Sequence, residues 1–284
     1  MVDNTTHSQN RARRTIWPFG KRDRELRQQP LFDTIAWFVV FLLYAPVAVL
    51  VVFSFNDNRS VVVWTEFSLR WYQAALENEG IRKAAFLSVQ VAVTSTVIAT
   101  TIATMAALAT TRGGPFKGRA ASIALINQPL MIPEIVTAIA TLSLFSILRK
   151  LTGINGLGWL ILAHTVFCIP FAYMPIRARL SDMSETLELA ASDLYATPMR
   201  VFRHVTLPLL APGILAGAML AFVVSLDDVI ITLLIAGPGE TTLPIYILGQ
   251  IRRGVTPEVN AVSTILIGVT ILLVGALFAL QKRK

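Results

Sequence analysis

The chain has 284 residues, of which 54% are hydrophobic and only 15% charged, and its mean hydropathy is +0.62. Those values exclude an ordinary soluble domain, in which about a quarter of residues carry charge. The formal net charge of +8 raises the question of a polyanionic partner, which the distribution of the basic residues along the chain answers.

Residues 1–30 form a polar, basic tail with Arg11, Arg13, Arg14, Lys21, Arg22, Arg24 and Arg27. Six apolar runs follow, at Thr34–Phe55, Ala85–Thr110, Ala120–Leu148, Leu157–Pro175, Leu209–Ile235 and Ala261–Leu280. Each is near or above the ~20 residues that cross a bilayer as a helix. The reading is an all-α membrane protein with a six-helix transmembrane domain over 31–284. The first run is span-length and no small-residue cleavage site follows it, which marks an uncleaved helix rather than a secretory signal. Asn56–Lys83 is the longest segment on the far side from the tail and holds Trp64, Phe67, Trp71 and Tyr72, residues that favour the membrane interface. Arg112-Gly113-Gly114-Pro115 is a tight turn between the second and third spans. In the third span, Pro129 and Pro133 predict kinks. The Gly- and Pro-rich stretch Gly237–Val259 predicts a structured re-entrant or surface segment.

If the tail is cytoplasmic, most of the 25 Lys and Arg residues fall on that side: the tail, Arg112, Lys117, Arg119, Arg177, Arg179, Arg200, Arg203, Lys282, Arg283 and Lys284. The positive-inside rule then sets both termini in the cytoplasm. The charge reports topology against a lipid bilayer, with no nucleic-acid partner. The single cysteine, Cys168, excludes an intrachain disulfide.

Between the fourth and fifth spans lies a polar island, Ser181–Pro212, where a short loop would suffice to return the chain. It reads as two amphipathic helices. In the first, Leu187, Ala190, Ala191 and Leu194 share a face at i, i+3, i+4 and i+7, with Asp182 or Ser184 as N-cap. The second starts at Thr197-Pro198, an N-cap followed by proline at N1, and carries Val201, Phe202 and Val205. By the charge rule this island is cytoplasmic.

No catalytic set is present. Gly20-Lys21 lacks the glycine and the Ser or Thr of a nucleotide-binding loop, and His7, His164 and His204 are scattered, with no metal-ligand spacing. The residues that demand explanation are Glu134, Asp227 and Asp228 inside apolar runs. A carboxylate at bilayer depth costs about 2.5–3.5 kcal/mol on insertion scales. On a continuous helix Glu134 shares a polar stripe with Asn127, Thr137 and Thr141, and Asp228 shares a face with Ser225 and Thr232, while Asp227 points ~100° away toward a neighbouring helix or a partner subunit.

The island resembles the cytoplasmic signature of binding-protein-dependent ABC importer permeases. Ala190, Ala191, Asp193, Leu194, Ala196, Leu207, Pro208, Pro212 and Gly213 match it. The usual acidic residue before the paired alanines is Leu189, with Glu188 one position earlier, and the usual glycine after Asp193-Leu194 is Tyr195. The stretches F-S-L-R-W-Y, L-D-D-V-I-I-T-L-L-I-A-G-P-G-E-T-T-L-P-I-Y and G-V-T-P-E-V-N-A-V-S-T are similar to those of putrescine/spermidine-type members. The resemblance implies the type I ABC importer permease fold, and a coupling loop at about 181–208 that docks on an ATPase through Glu188, Ala190, Ala191, Asp193, Leu194, Tyr195, Ala196, Leu207 and Pro208. It implies a second permease subunit, an ATPase dimer that binds the ATP and Mg, a periplasmic substrate-binding protein, and no cofactor in this chain. It implies an inner-membrane transport subunit rather than an enzyme, with a polyamine pathway along Glu134, Asp227, Asp228, Ser225 and Trp71. Opine-like and amino-butyrate-like amines are the rival cargoes. From another class, a proton-coupled secondary transporter accounts for the buried acids but leaves the island unexplained.

Overall fold

A computed structural model describes residues 30–59, 63–254 and 256–282. The basic tail up to residue 29, together with Arg283 and Lys284, lies outside the described residues. Twelve α-helices and one π-turn make up the described chain. Six stretches among them are long and apolar enough to cross a membrane: Asp33–Phe53, Glu79–Thr111, Glu134–Thr152, Gly158–Asp182, Pro198–Asp227 and Pro257–Ala276.

The chain divides after Leu50 into two units. Helix α1 (Pro30–Phe53) is apolar on all sides, the pattern of a helix in lipid. In the second unit, α2 (Arg70–Glu77) precedes α3 (Glu79–Thr111), and α4 (Arg119–Met131) precedes α5 (Glu134–Thr152). Helix α6 (Gly158–Asp182) leads through α7 (Thr186–Asp193) and α8 (Pro198–Val201) to the π-turn Phe202–Thr206 and α9 (Leu207–Asp227). The chain ends with α10 (Ile230–Ile235), α11 (Leu243–Arg253) and α12 (Pro257–Lys282).

Helices α3, α6 and α9 pack on one another as the centre of this unit. Small residues make the approach close, as is usual where packing rather than water exclusion drives association. Ala99, Ala103 and Ala107 line one face of α3, all fully buried. On α9, a Cβ at Gly213 would stand 2.6 Å from Arg179 Cβ, and one at Gly217 would stand 2.5 Å from the Ala172 carbonyl. A second cluster joins Ala138 and Phe145 of α5, Leu160 and Phe167 of α6, and Ile231 and Ile235 of α10.

Two spans depart from the sequence expectation, both by breaking. The third does not merely kink: Ile132 is extended (φ −100°, ψ 138°) between α4 and α5, as expected of a residue before proline, while Pro129 is accommodated inside α4. Asn127 and Glu134 therefore sit on different helices and do not form the expected stripe. Only Glu134, Thr137 and Thr141 share α5. The fifth span breaks at Asp228 (φ −63°, ψ 134°), so the angular argument for Asp227 and Asp228 on one continuous helix fails.

The island between α6 and α9 is also reshaped. Asp182 closes α6, and α7 starts after Glu185 with no side-chain cap. Ser184 instead accepts from the Thr186 amide at 3.3 Å. Thr197 and Pro198 do open α8, but α8 runs on through the π-turn into the fifth span rather than forming a separate helix. The cause is Pro208, which has no N–H to give the His204 carbonyl, so the ladder shifts and Leu207 N–H donates to Phe202 O. The expected structured segment after residue 237 is α11, fixed to α3 by the Leu243 amide donating to Ser88 Oγ at 2.7 Å.

Candidate functional site

The break at Asp228 has a local cause. Asp228 accepts from the Ile231 amide at 3.2 Å and from the Thr232 amide and hydroxyl, each at 2.9 Å. From the position before the N-cap Val229 it closes the start of α10, satisfying donors that the start of a helix leaves orphaned. At the other end of α10, Arg149 donates to the Ile235 carbonyl at 3.2 Å. Arg149 sits in the last turn of α5 and Glu134 in its first, so α5 and α10 lie side by side.

That pairing brings the Glu134 carboxyl beside the Asp228 carboxyl. The two acids differ in setting: Asp228 is buried and Glu134 half-buried. Thr137, one turn along α5 from Glu134, has a buried Oγ1 with no hydrogen-bond partner among the described residues.

Behind Asp228 stands a residue that sequence reasoning passed over. His164, on the unbroken α6, is 1% exposed. Its Nδ1 lies 2.8 Å from Ser225 Oγ, and its Nε2 lies 3.0 Å from Thr232 Oγ1 and 3.4 Å from Asp228 Oδ2. Ser225 in turn meets Ser95 of α3 at 3.1 Å. The chain Ser95–Ser225–His164–Asp228 thus links α3, α9 and α6 through buried polar groups. Ser225 and Asp228 are local and share a face by spacing, but Ser95 and His164 lie 130 and 61 residues from Ser225, so no local spacing signals their part in it. The one available signal was a histidine inside an apolar run.

Of the predicted pathway residues, Glu134, Asp228 and Ser225 come together. Asp227 does not join them: it is exposed, with no hydrogen-bond or ion-pair partner among the described residues. Trp71 is also apart. It lies on α2 under the Arg70 guanidinium, 4.5 Å from its ring centroid, and its neighbour Tyr72 is engaged with Ser54 at 2.6 Å. The acids do not line the broad groove of about 790 Å³ formed by Glu79, Arg82, Lys83 and Tyr246. The carboxyl pair is defined by converging side chains rather than by a large cavity. Among the described residues no group of three His, Cys, Asp or Glu stands close enough to hold a metal.

The α7–α8 connection has the opposite character. Leu194 and Tyr195 are 83% and 95% exposed, and Leu187, Leu189 and Met199 are also exposed. Tyr195 occupies the left-handed region at φ 60°, a conformation natural to glycine and strained for a side chain. The expected Asp193 stands exposed at the end of α7, and Ala190, Ala191 and Ala196 range from exposed to half-buried. Glu188 faces inward: it pairs with Arg112 Nε at 3.2 Å, without the alignment of a hydrogen bond, and accepts from Thr206 Oγ1 at 2.8 Å. Arg112 also reaches Glu185 at 2.9 Å and the Met183 carbonyl at 2.7 Å. Glu188 thus anchors α7 to the end of α3 and to the π-turn. Leu207 is half-buried and Pro208 exposed at the base of α9.

Residues 99–283 match the family described as the inner membrane component of binding-protein-dependent transport systems. The chain belongs to that family. Its relatives include a putrescine transport system permease protein, PotI of Escherichia coli K12, which is 38% identical over 82% of this chain and 86% of the relative. A spermidine/putrescine transport system permease protein, PotC of Haemophilus influenzae, is 36% identical over 84% of this chain and 91% of the relative. In three dimensions the chain resembles a bacterial ABC transporter that imports the acidic polysaccharide alginate, with a TM-score of 0.63 at 13% identity over 93% of this chain and 98% of that one. This family member has the ABC importer permease fold. It is a multi-pass inner-membrane transport subunit, as the sequence led us to expect, rather than an enzyme.

Proposed function

We propose that this permease moves a polyamine of the putrescine or spermidine type inward across the bacterial inner membrane. The observation that carries the reading is the Glu134–Asp228 pair at two helix breaks, in a chain whose relatives are named for putrescine and spermidine transport. Two carboxyl groups side by side within apolar helices repel when both are charged, and an ammonium group between them relieves that repulsion. Asp228 is held in place by α10 and supplies a fixed acceptor. Glu134 is the more accessible partner, and Thr137 Oγ1 adds an unfilled acceptor one turn away. Ser225 acts through His164 rather than on the cargo, and Trp71 belongs nearer the entrance. Asp227, exposed on this chain alone, faces the second permease subunit.

The energy source lies elsewhere. An ATPase dimer binds the ATP and Mg, and its closure pulls on the coupling loop 181–208, turning the pathway between inward- and outward-facing forms. The exposed apolar side chains of α7 and α8 fit an ATPase groove, where buried aromatic anchors dominate binding. A periplasmic binding protein delivers the cargo on the opposite side. Both termini, including the basic tail 1–30, are cytoplasmic by the positive-inside rule. Beyond the tail, residues 31–284 work as one six-helix transmembrane domain.

Proteoliposomes containing the whole importer test the function. Putrescine or spermidine should accumulate only with enclosed ATP and loaded binding protein, and a proton ionophore should leave accumulation unchanged. Uptake that needs no ATP and collapses with the proton gradient would assign the chain to secondary transport. ATP-driven uptake of an amino-butyrate or an opine in preference to polyamines would keep the importer and replace the cargo.

A further inference from the structure

His164 spans the discontinuity between α9 and α10 with hydrogen bonds to both sides. The fifth apolar run stops at Asp227 and resumes at Ile230. Ser225 is in the last turn of α9 and Thr232 in the first turn of α10, so one ring on α6 holds both sides of the break. The hydrogen bonds also fix which ring nitrogen carries a proton toward α10. Thr232 has a single hydroxyl hydrogen and donates it to Asp228 Oδ2 at 2.9 Å. Its oxygen can then only accept, so the N–H comes from His164 Nε2 at 3.0 Å.

The consequence falls on Asp228. Oδ2 takes the Thr232 amide, the Thr232 hydroxyl and the approach of Nε2 at 3.4 Å, whereas the one backbone donor to Oδ1 among the described residues is the Ile231 amide at 3.2 Å, with the Glu134 carboxyl beside the pair. One oxygen is filled and the other keeps acceptor capacity. We infer that His164 is a positioning residue for transport: through Thr232 it locks the Asp228 carboxylate so that one defined edge is left for a cation shared with Glu134. This rests on the cation pathway proposed above and adds a residue to it. Burial alone requires both ring nitrogens to be engaged; what sets this ring apart is that its partners, Ser225 and Thr232, stand on opposite sides of a helix break.

The substitutions separate the two nitrogens. His164→Gln places an N–H near the position of Nε2, His164→Asn reaches only as far as Nδ1, and His164→Leu keeps volume alone. The assembled importer, with second permease, ATPase and binding protein, is compared in proteoliposomes for spermidine uptake, with complex yield measured in parallel. His164→Asn and His164→Leu should lower uptake on the order of tenfold at near-normal yield, and His164→Gln should recover most of it. In an Asp228→Asn background, His164→Leu should add less than twofold, because its effect is transmitted through the carboxylate. Thr232→Val should reproduce the defect with the ring intact, and Thr232→Ser should not, which keeps the proposal testable if a His164 variant fails to assemble. Equal uptake in the Gln and Asn variants, or a full multiplicative loss in the Asp228→Asn background, overturns the positioning role. If Asp228→Asn and Glu134→Gln alone transport normally, the underlying pathway fails, and that result is visible without any His164 variant.

Discussion

Asp228 and Tyr195 are both out of place by ordinary rules, one a carboxylate among apolar helices and the other an aromatic ring in water. Around Asp228 the protein provides its own partners: two backbone amides, a hydroxyl and a histidine. Around Tyr195 it provides none, leaving the ring 95% exposed at φ 60°. A buried polar group without a partner is costly, so the membrane interior must be completed within the chain. An exposed apolar group costs little until it is buried, so a docking surface can be left for another protein to complete. The contrast separates a part that the chain completes within itself from a part that it leaves uncovered.

The largest effect should come from spoiling the incomplete surface. Replacing Ala191 with arginine or glutamate places a bulky charge where a close-packed contact is expected, and a charge buried without a partner is strongly unfavourable. ATPase co-purification and uptake should both fall more than tenfold while membrane insertion persists. Retention of the ATPase by these variants would show that α7 is not the dock.

Next in size is the loss of a single charge from the interior. Asp228→Asn keeps shape and one acceptor oxygen toward the start of α10, so yield should fall only modestly, while loss of a charge-assisted contact worth roughly 1.5–3 kcal/mol should lower uptake about tenfold or more. Asp227→Asn should act differently, reducing the amount of assembled complex because that side chain is exposed on this chain alone. An unchanged yield with reduced uptake would return Asp227 to the pathway.

Cutting the anchor between the two regions should be milder. Arg112→Ala removes the partner of Glu185 and Glu188 and leaves the Met183 carbonyl without its donor, at a cost of about 1–3 kcal/mol. Thermal stability of the complex should drop, and ATP hydrolysis should become less dependent on loaded binding protein as α7 loosens from α3. The smallest change belongs to Tyr195→Gly. It relieves a left-handed conformation that costs a side chain about 1–2 kcal/mol, so the isolated permease should be slightly more stable. Complex stability in detergent should nevertheless decline, because an interface anchor is lost. A more stable complex would make the ring a strained bystander.

Much of the fold was legible because hydropathy is additive along a run: six spans are present, each overlapping an expected run, with the third and fifth shifted by their breaks. The breaks were not, because hydropathy does not register a change of backbone direction. At Ile132 the warning was present in the following Pro133, yet it read as a kink. At Asp228 there was no proline or glycine, only an aspartate three residues before the Ile231 amide, a helix start embedded in a run that looked continuous. The two acids drew attention by residue type alone, and their pairing was not legible, since the helical geometry first used to explain each of them does not apply. His164 escaped entirely because its partners are distant in sequence. In the coupling loop, Tyr195 stood out by replacing a glycine, and its positive φ is the backbone expression of that exchange.

The account stands or falls on the two acids acting on a cation. Uptake of spermidine and of a monoamine should be measured side by side in proteoliposomes for the wild-type importer and for Glu134→Gln, with ATPase retention recorded for each. Glu134→Gln should retain the ATPase fully, lose about tenfold in spermidine uptake, and lose less for the monoamine, which has one charge to be shared rather than several. Unchanged spermidine uptake, or an equal loss for both amines, would contradict a pathway built on the Glu134–Asp228 pair.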